Sequence, residues 1–401
     1  MPAKHLPASA ANLKQLMMKY FMDMHAQARG GKFTVWIAII VPIELLPENH
    51  AAACAAKGVG GDQCARAEAM GYSADLCSYA RIDIGTAFSK RSGSPVNGMP
   101  RPDLLISNNN NCSLLSKWFD VHRREWSVPH FVLDVPFCYG PQTEADTDYI
   151  VHQFKELIVL IEDMTGQEWD EEKTREAVRL SNEANVHWKR FLDTAARTPA
   201  PVTAFDSFLH MAPYITAYRG TPQLVDHFKL LADEAEAQAA AGRAPVPHER
   251  FRLLWDNIAP WHQLRAMSTR LAALGANIVQ ATYTSCLGTV EGEVNRFDYD
   301  ASQPLRTLAR IQNSSVCPYG LALRDRAMSG IVERFNPHGI VFASNRSCKV
   351  YSLMQMDLER RMRERFGIPT VMIDVDHADA RKYSEEKAFT AIEAMLEEIS
   401  L

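Results

Sequence analysis

One figure is written twice in this chain, and it limits what the chain can fold into. At Gly339–Asp376 an apolar run, Gly339–Ala343, ends in a Ser-Asn-Arg-Ser step that leads into Cys348. A helical pattern follows, with Leu358, Met362 and Phe366 at i, i+4 and i+8, and with Glu359 spaced to pair with Arg363. Gly367 stops that helix, Pro369 restarts the chain, and Thr370–Ile373 is a second apolar run. The same order occurs earlier: Asp103–Ser107 leads through Asn108–Asn111 to Cys112, then to a helix through Trp118, Phe119 and Val121, then Pro129 and the run His130–Val135. Short, continuous apolar runs flanking a helix predict βαβ units of a parallel sheet. Cys112 and Cys348 then each lie just past the carboxyl end of a strand and close to the amino end of a helix. Open α/β sheets bind ligands there, and a helix terminus draws a thiol towards thiolate. The predicted fold is α/β: two Rossmann-like lobes with parallel sheets, each offering a cysteine to a common cleft, plus a helical insertion between them.

Boundaries follow from where the patterns change. Residues 1–30 read as an N-terminal helical segment, centred on Leu13–Ala28. The first lobe spans 31–148. It opens on a strand at Phe33–Val41, continues in alanine-rich helical sequence at Ala51–Ala56 and Ala65–Met70, and then offers Ser73 as N-cap of a helix carrying Cys77. Strand signals vanish over 149–248, which reads as a helical region with solvated outer faces. The second lobe, 249–401, begins with the strand Arg252–Asp256, the helix Gln263–Leu274 and the strand Asn277–Ala281. It closes on a helix capped by Ser384.

Composition removes several classes of function. With 401 residues, 47% of them hydrophobic, the chain has enough material for two or three domains with cores. A net charge of −5 and the lack of long Lys/Arg clusters argue against nucleic acid as a partner. The longest apolar run, Val35–Leu46, is broken by Pro42 and Glu44 and is too short to span a membrane. The first residues carry no apolar export core, so the eight cysteines are expected to be thiols or metal ligands in a cytoplasmic protein. Neither GxxxxGK[ST] nor GxGxxG occurs. ATP and dinucleotides are therefore not expected to bind here, and energy for low-potential chemistry would have to arrive through a partner.

No CxxC pair is present, so position rather than spacing carries the argument about cysteine. Three thiolates, Cys77, Cys112 and Cys348, converging on one cleft would suit a soft metal centre, most naturally a cubane iron–sulfur cluster with one iron left open. Cys54, Cys64, Cys138 and Cys286 read instead as small buried apolar residues. Cys317, before Pro318-Tyr319-Gly320, leans the same way. Glu44 and His50 fall after the first strand, near the cleft mouth, and are weak candidates for a proton donor; capping or a solvent-facing position accounts for them better. Asn108–Asn111 and Asn345-Arg346 serve equally well as turn formers or as donors to cluster sulfur. Arg219 reads as a solvated helix end before it reads as a phosphate contact. Trp118 and Phe119 read as core before acyl pocket, the pocket role also suggested for Trp261. Asp374, Asp376 and Asp379 read as turn formers, with no metal assigned.

The stretches ADLCSYARIDIG, PDLLISNNNNCSLLSKWF, FLHMAPYITAYRGT, RFRLLWDNIAPW and IVFASNRSCKVYSLMQMDLERR, with the tail IDVDHADARKYSEE, resemble the 2-hydroxyacyl-CoA dehydratase/benzoyl-CoA reductase family across nearly all of the chain beyond residue 30. AYRGT and the first cysteine contexts look most like the larger cluster-binding subunit of ATP-dependent (class I) benzoyl-CoA reductase. The resemblance implies a [4Fe-4S] cluster held by Cys77, Cys112 and Cys348, a homologous second cluster-binding subunit, and a separate ATP-hydrolysing iron–sulfur activator as electron donor. It implies an acyl-CoA substrate: reduction of a thioester-activated aromatic ring to a cyclic dienoyl-CoA, or, as the alternative, ketyl-radical dehydration of a 2-hydroxyacyl-CoA. Two alternatives stand further off: a double-cubane relative that enlists Cys286 or Cys317, and a two-lobed small-molecule binding protein with no redox role.

Overall fold

The computed structural model describes residues 7–38, 41–46, 50–52, 61–88, 98–110, 112–216, 218–246, 248–285, 300–314 and 320–401. Among these, two parallel sheets set the architecture, and both have one strand order. In the first, β1 (Val35–Ile37) lies between β2 (His50–Ala52) and β3 (Leu104–Asn108), and β4 (His130–Leu133) pairs with the far side of β3. In the second, β5 (Phe251–Asp256) lies between β6 (Ala276–Ala281) and β7 (Gly339–Asn345), with β8 (Thr370–Val375) outside β7. Each chain path runs from the first strand to one side, then crosses back to the other. That reversal opens a crevice at the carboxyl ends of the first and third strands. The sequence reading of two related parallel α/β lobes is what the structure shows.

Helices cover both sheets. In the first lobe α2 (Gly61–Ala69), α3 (Ser78–Ala87) and α4 (Ser113–Trp126) surround the sheet, and α1 (Ala8–Arg29) precedes it. The stretch between sheets holds α5 (Glu144–Thr165), α6 (Glu171–Asp193), α7 (Ala204–His210), α8 (Ala212–Thr216) and α9 (Pro222–Ala240). The second sheet carries α10 (Leu264–Ala273), α11 (Thr282–Ser285), α13 (Leu321–Phe335), α14 (Lys349–Ser352), α15 (Gln355–Phe366) and α16 (Glu385–Ser400), whereas α12 (Pro304–Ser314) packs back on α5 and α6, sharing a core with Leu133 of β4. Strands β3, β5 and β6 are buried along their whole length, which is why they read as unbroken apolar runs rather than alternating ones. Trp36, Leu105 and Phe119 centre the first core. Trp188, Phe228, Trp255 and Phe342 share a larger one, so α6 and α9 are continuous with the second sheet.

Several local expectations are corrected. Ala51 and Ala52 form β2, paired in register with Trp36 and Ile37, where a helix was expected, because strand pairing overrides alanine's preference. Strand β1 is shorter than Phe33–Val41. The N-cap of α3 is Cys77 itself, and Ser73 only closes a turn to the Asp75 amide at 3.1 Å. The helix after Cys348 is broken into α14 and α15. Glu359 accepts from Thr370 Oγ1 at 2.8 Å, and Arg363 reaches Glu398 at 3.7 Å instead of pairing with Glu359. Gly367 ends α15 in the left-handed region at φ 65°, as its type predicts. Gly85 lets α2 approach α3: a Cβ there would meet the Gln63 carbonyl oxygen at 2.0 Å.

A buried polar chain ties α1 to this framework. Asn12 Oδ1 faces His227 Nδ1 at 2.8 Å, and His227 Nε2 faces His210 Nδ1 at 3.2 Å. Burial lowers both histidines, His210 to about 3 and His227 to about 4, so both are neutral in the fold. An unfolded histidine titrates near 6.5, so between pH 6.5 and about 4 the unfolded chain binds more protons and stability falls as pH falls. Each such histidine contributes a slope of at most about 1.4 kcal/mol per pH unit. Urea unfolding midpoints should drop between pH 7 and pH 5, and His227→Gln should flatten that dependence. Gly85→Ala should destabilise at every pH, because the obstacle is backbone.

Candidate functional site

The three cysteines singled out from sequence occupy one kind of position. Cys77 is the N-cap of α3, Cys112 of α4 and Cys348 of α14. Cys112 follows the third strand of its sheet and Cys348 the third strand of the other, so the pair is topologically equivalent. Each carbonyl begins its helix, Cys77 O accepting from Arg81 at 3.0 Å, Cys112 O from Leu115 at 3.0 Å and Cys348 O from Ser352 at 3.2 Å. The sulfurs are thereby aimed at amide-rich helix starts that favour negative charge.

Cys348 and Cys112 both lie close enough to Cys77 for their charges to act on it. Burial pushes the Cys77 thiol well above its ordinary value, and the charges of Cys348 and Cys112 push it further. The amides of Ala80 and Tyr79 act against that rise. Burial also raises Cys112, opposed by the amides of Leu114 and Leu115. Thiolates that repel one another in a poorly solvated cleft need a cationic core to coexist. Among the described residues no three of His, Cys, Asp or Glu stand at the spacing of a single ion. A larger soft centre would spread its thiolate ligands over separate corners, and Cys77, Cys112 and Cys348 are the residues that would hold it.

Several residues around Cys77 come from the opposite lobe, and sequence reasoning assigned His377 among them no role. Cys77 Sγ lies 3.5 Å from Nε2 of His377, which follows β8. Asn345 orients that ring: its Nδ2 donates to Ile258 O at 2.8 Å, which leaves Oδ1 to face His377 Nδ1 at 3.2 Å. Ser78 Oγ meets His377 Nε2 at 2.9 Å, and Tyr79 packs edge-on to the imidazole with centroids 4.2 Å apart. The His377 carbonyl accepts from Trp261 N at 3.1 Å, and Trp261 Nε1 donates to Tyr79 Oη. Trp261 thus lies beside the cysteines, whereas Trp118 and Phe119 are core, as expected.

Deeper still, Arg81 is fully buried. Its Nε donates to Leu76 O at 3.0 Å, one residue before Cys77, and its Nη1 bonds Asp379 Oδ2 at 2.8 Å and Glu68 Oε1 at 2.6 Å. Arg381 joins the same two carboxylates, and the pair of guanidinium contacts outweighs burial to hold Asp379 near 2. On the other face of α3, Asp83 accepts from Trp118 Nε1 at 2.7 Å and contacts His122 at 2.7 Å, locking α3 to α4. The polar tail Asp376–Arg381 was the available sequence signal for this clamp. Asp376 and Asp379 do form turns, but Asp379 also neutralises a buried cation.

The remaining candidates scatter. Glu44 is buried, bonded to Arg219 Nε at 2.8 Å and Ser181 Oγ at 2.8 Å. This fixed ion pair replaces both the solvated Arg219 and the capping or solvent-facing Glu44 expected from sequence. His50 is the first residue of β2. Asn109 plays neither expected part: it ties the end of β3 to the end of β4, accepting from Val135 N at 3.0 Å and donating to Asp134. Asp374 pairs with Arg346 at the surface. Cys64 and Cys138 are buried, their thiols facing Ser78 O at 3.7 Å and Asn313 Oδ1 at 3.1 Å. Cys54, Cys286, Cys317 and Asn111 lie outside the described residues.

Two parallel α/β lobes of one strand order, bonded to each other through Ser78 and Arg81 of α3, define a class of two-lobed α/β subunits. The chain belongs to the family described as 2-hydroxyglutaryl-CoA dehydratase, D-component, whose model matches residues 38–399. It is 34% identical over 387 residues to the (R)-phenyllactyl-CoA dehydratase alpha subunit of Clostridium sporogenes, covering 93% of this chain and 91% of that one. It is 30% identical to the (R)-2-hydroxyisocaproyl-CoA dehydratase alpha subunit of Clostridioides difficile, over 96% of this chain and 94% of the relative. It is 28% identical to a benzoyl-CoA reductase subunit of Thauera aromatica, over 87% of this chain and 82% of the relative. The chain is thus an enzyme subunit of the dehydratase/reductase family. Among the described residues no helix is long and apolar enough to cross a membrane.

The Arg81–Asp379 pair generates a direct test. Both side chains are fully buried, and removing Asp379 leaves the Arg81 charge with Glu68 alone. Asp379→Ala should cost up to about 3 kcal/mol in chemical denaturation, the low end for a broken buried pair because Glu68 remains, and still beyond the effect of removing the exposed Asp374.

Proposed function

We propose that this chain is one subunit of a cytoplasmic 2-hydroxyacyl-CoA dehydratase and holds a [4Fe-4S] cluster through Cys77, Cys112 and Cys348. The observation that carries the reading is that three cysteines cap helices in two topologically equivalent lobes, with the charges of Cys112 and Cys348 both acting on Cys77. Similarity to the alpha subunits of two dehydratases over more than nine-tenths of the chain supports dehydration over other chemistry. When bound, the cluster supplies low-potential single electrons, with one iron open to a substrate oxygen. This chain's residues hold the thiolates, spread the charge over three helix starts, and line the cysteine side of the cleft with Tyr79, Trp261 and His377, which keep water from Cys77. The relatives' names as alpha subunits support a second, homologous subunit as partner. The missing phosphate loop supports a separate ATP-hydrolysing activator as electron donor. Glu44, locked to Arg219, suits a fixed charge at the end of the first strand better than a mobile acid, so the proton donor for either reaction is sought elsewhere in the cleft.

The second reading, an aromatic acyl-CoA reductase of the benzoyl-CoA type, is the one put first from sequence. It is favoured by the similarity to the benzoyl-CoA reductase of Thauera aromatica.

Anaerobically purified protein should be brown and carry about four irons per chain. Cys77→Ala, Cys112→Ala and Cys348→Ala should each lose iron and activity, while Cys64→Ala retains both. A fully loaded, active Cys348→Ala protein would overturn the ligand set. Turnover with the partner subunit, activator, ATP and reductant should eliminate water from a 2-hydroxyacyl-CoA and leave benzoyl-CoA unchanged; the opposite outcome would establish the reductase.

A further inference from the structure

The residue before one proposed ligand is bonded to the residue after another, across the two lobes. The Ser78 amide, next to Cys77, donates to Ser347 Oγ, next to Cys348, at 3.2 Å. The Ser347 hydroxyl donates in turn to Asp376 Oδ2 at 2.7 Å. Asp376 cannot drift, because its other oxygen accepts from the amides of Ala378 at 3.0 Å and Asp379 at 2.9 Å. Ser347 is held equally firmly by its backbone: Arg346 N donates to Val375 O at 2.9 Å and Cys348 N to Asn345 O at 3.1 Å. All three side chains of the bridge, Ser78, Ser347 and Asp376, are buried. A shift of the Ser347 hydroxyl therefore moves Cys348, and a shift of the Ser78 amide moves Cys77.

We propose that Ser347, backed by Asp376, is a positioning residue that sets the separation of the Cys77 and Cys348 sulfurs and so governs how firmly the cluster is held. The proposal rests on the cluster reading above. It assigns a task to a side chain that touches neither substrate nor cluster sulfur. General adhesion between the lobes is supplied separately by Arg81 and Asp379, so removing one hydroxyl leaves that contact in place.

The test uses the full chain, purified and reconstituted without oxygen, as wild type, Ser347→Ala and Ser347→Thr. Losing a buried hydrogen-bond partner should speed iron release to a chelator by roughly tenfold in Ser347→Ala. The electron paramagnetic resonance line shape of the reduced cluster should also change, which a merely structural contact would not bring about, and the cluster-free protein should melt somewhat below wild type because Asp376 loses the same partner. Ser347→Thr keeps the hydroxyl and should restore both properties. Wild-type release rate and spectrum in a loaded Ser347→Ala protein would overturn the proposal and leave the cluster reading standing. Release and spectrum that stay wild type while melting falls would reduce Ser347 to a structural contact. Iron-free wild-type protein would overturn the cluster reading itself, and this proposal with it.

Discussion

A buried guanidinium holds the two lobes in register at the point where the chemistry is assigned. Arg81 has no exposed side-chain surface, yet it carries a full charge, and Asp379 and Glu68, at 2.8 Å and 2.6 Å, neutralise it. Taking such groups out of water costs as much as the pairing returns, so the contact is weak as a source of stability and strong as a source of geometry. What it specifies is the backbone at Leu76. That carbonyl accepts from Arg81 Nε, and Cys77 is the next residue. A cation on the first lobe's helix α3, bound to a carboxylate beyond the last strand of the second lobe, thereby fixes where a thiol stands in the cleft between them.

The same economy appears in how the sulfurs are presented. Parallel sheets end their strands on one side, and helices begin there, so any residue between strand and helix faces the crevice. Cys112 and Cys348 take that place after the third strand of each sheet, and Cys77 takes it at the start of a helix without a strand before it. Three helix starts pointing at one region make a field that tolerates anionic sulfur, and burial makes the sulfurs intolerant of one another. The proposed cluster, with its cationic inorganic core, would resolve that conflict. The absence of any phosphate loop in the same chain fits a division of labour in which another protein hydrolyses the nucleotide.

Dehydration and aromatic reduction share these demands, which explains why one scaffold serves proteins named for both. They differ in what surrounds the open corner of the centre. On this chain the neighbours of Cys77 are His377, Tyr79 and Trp261, a polar ring edge between two aromatic groups, with the Glu44–Arg219 pair at the end of β1.

Much of the fold was legible because its signals are local. Apolar runs of strand length, the stop at Gly367, the restart at Pro369 and the cysteines between run and helix each depend on a few adjacent residues, and they appear where they were read. Ala51 and Ala52 were misread because their strand is stabilised by β1 alongside, not by alanine. Glu359 and Arg363 were misread because partners beyond the helix, Thr370 and Glu398, compete for them. Arg81 and Asp379, Ser347 and Ser78, and Cys77 and His377 are 298, 269 and 300 positions apart, so no spacing rule joins them. The amino-acid order alone decided which residues could end a strand and start a helix. Only the closure of two lobes, with desolvation forcing every buried charge and hydroxyl to find a partner, decided which of them meet.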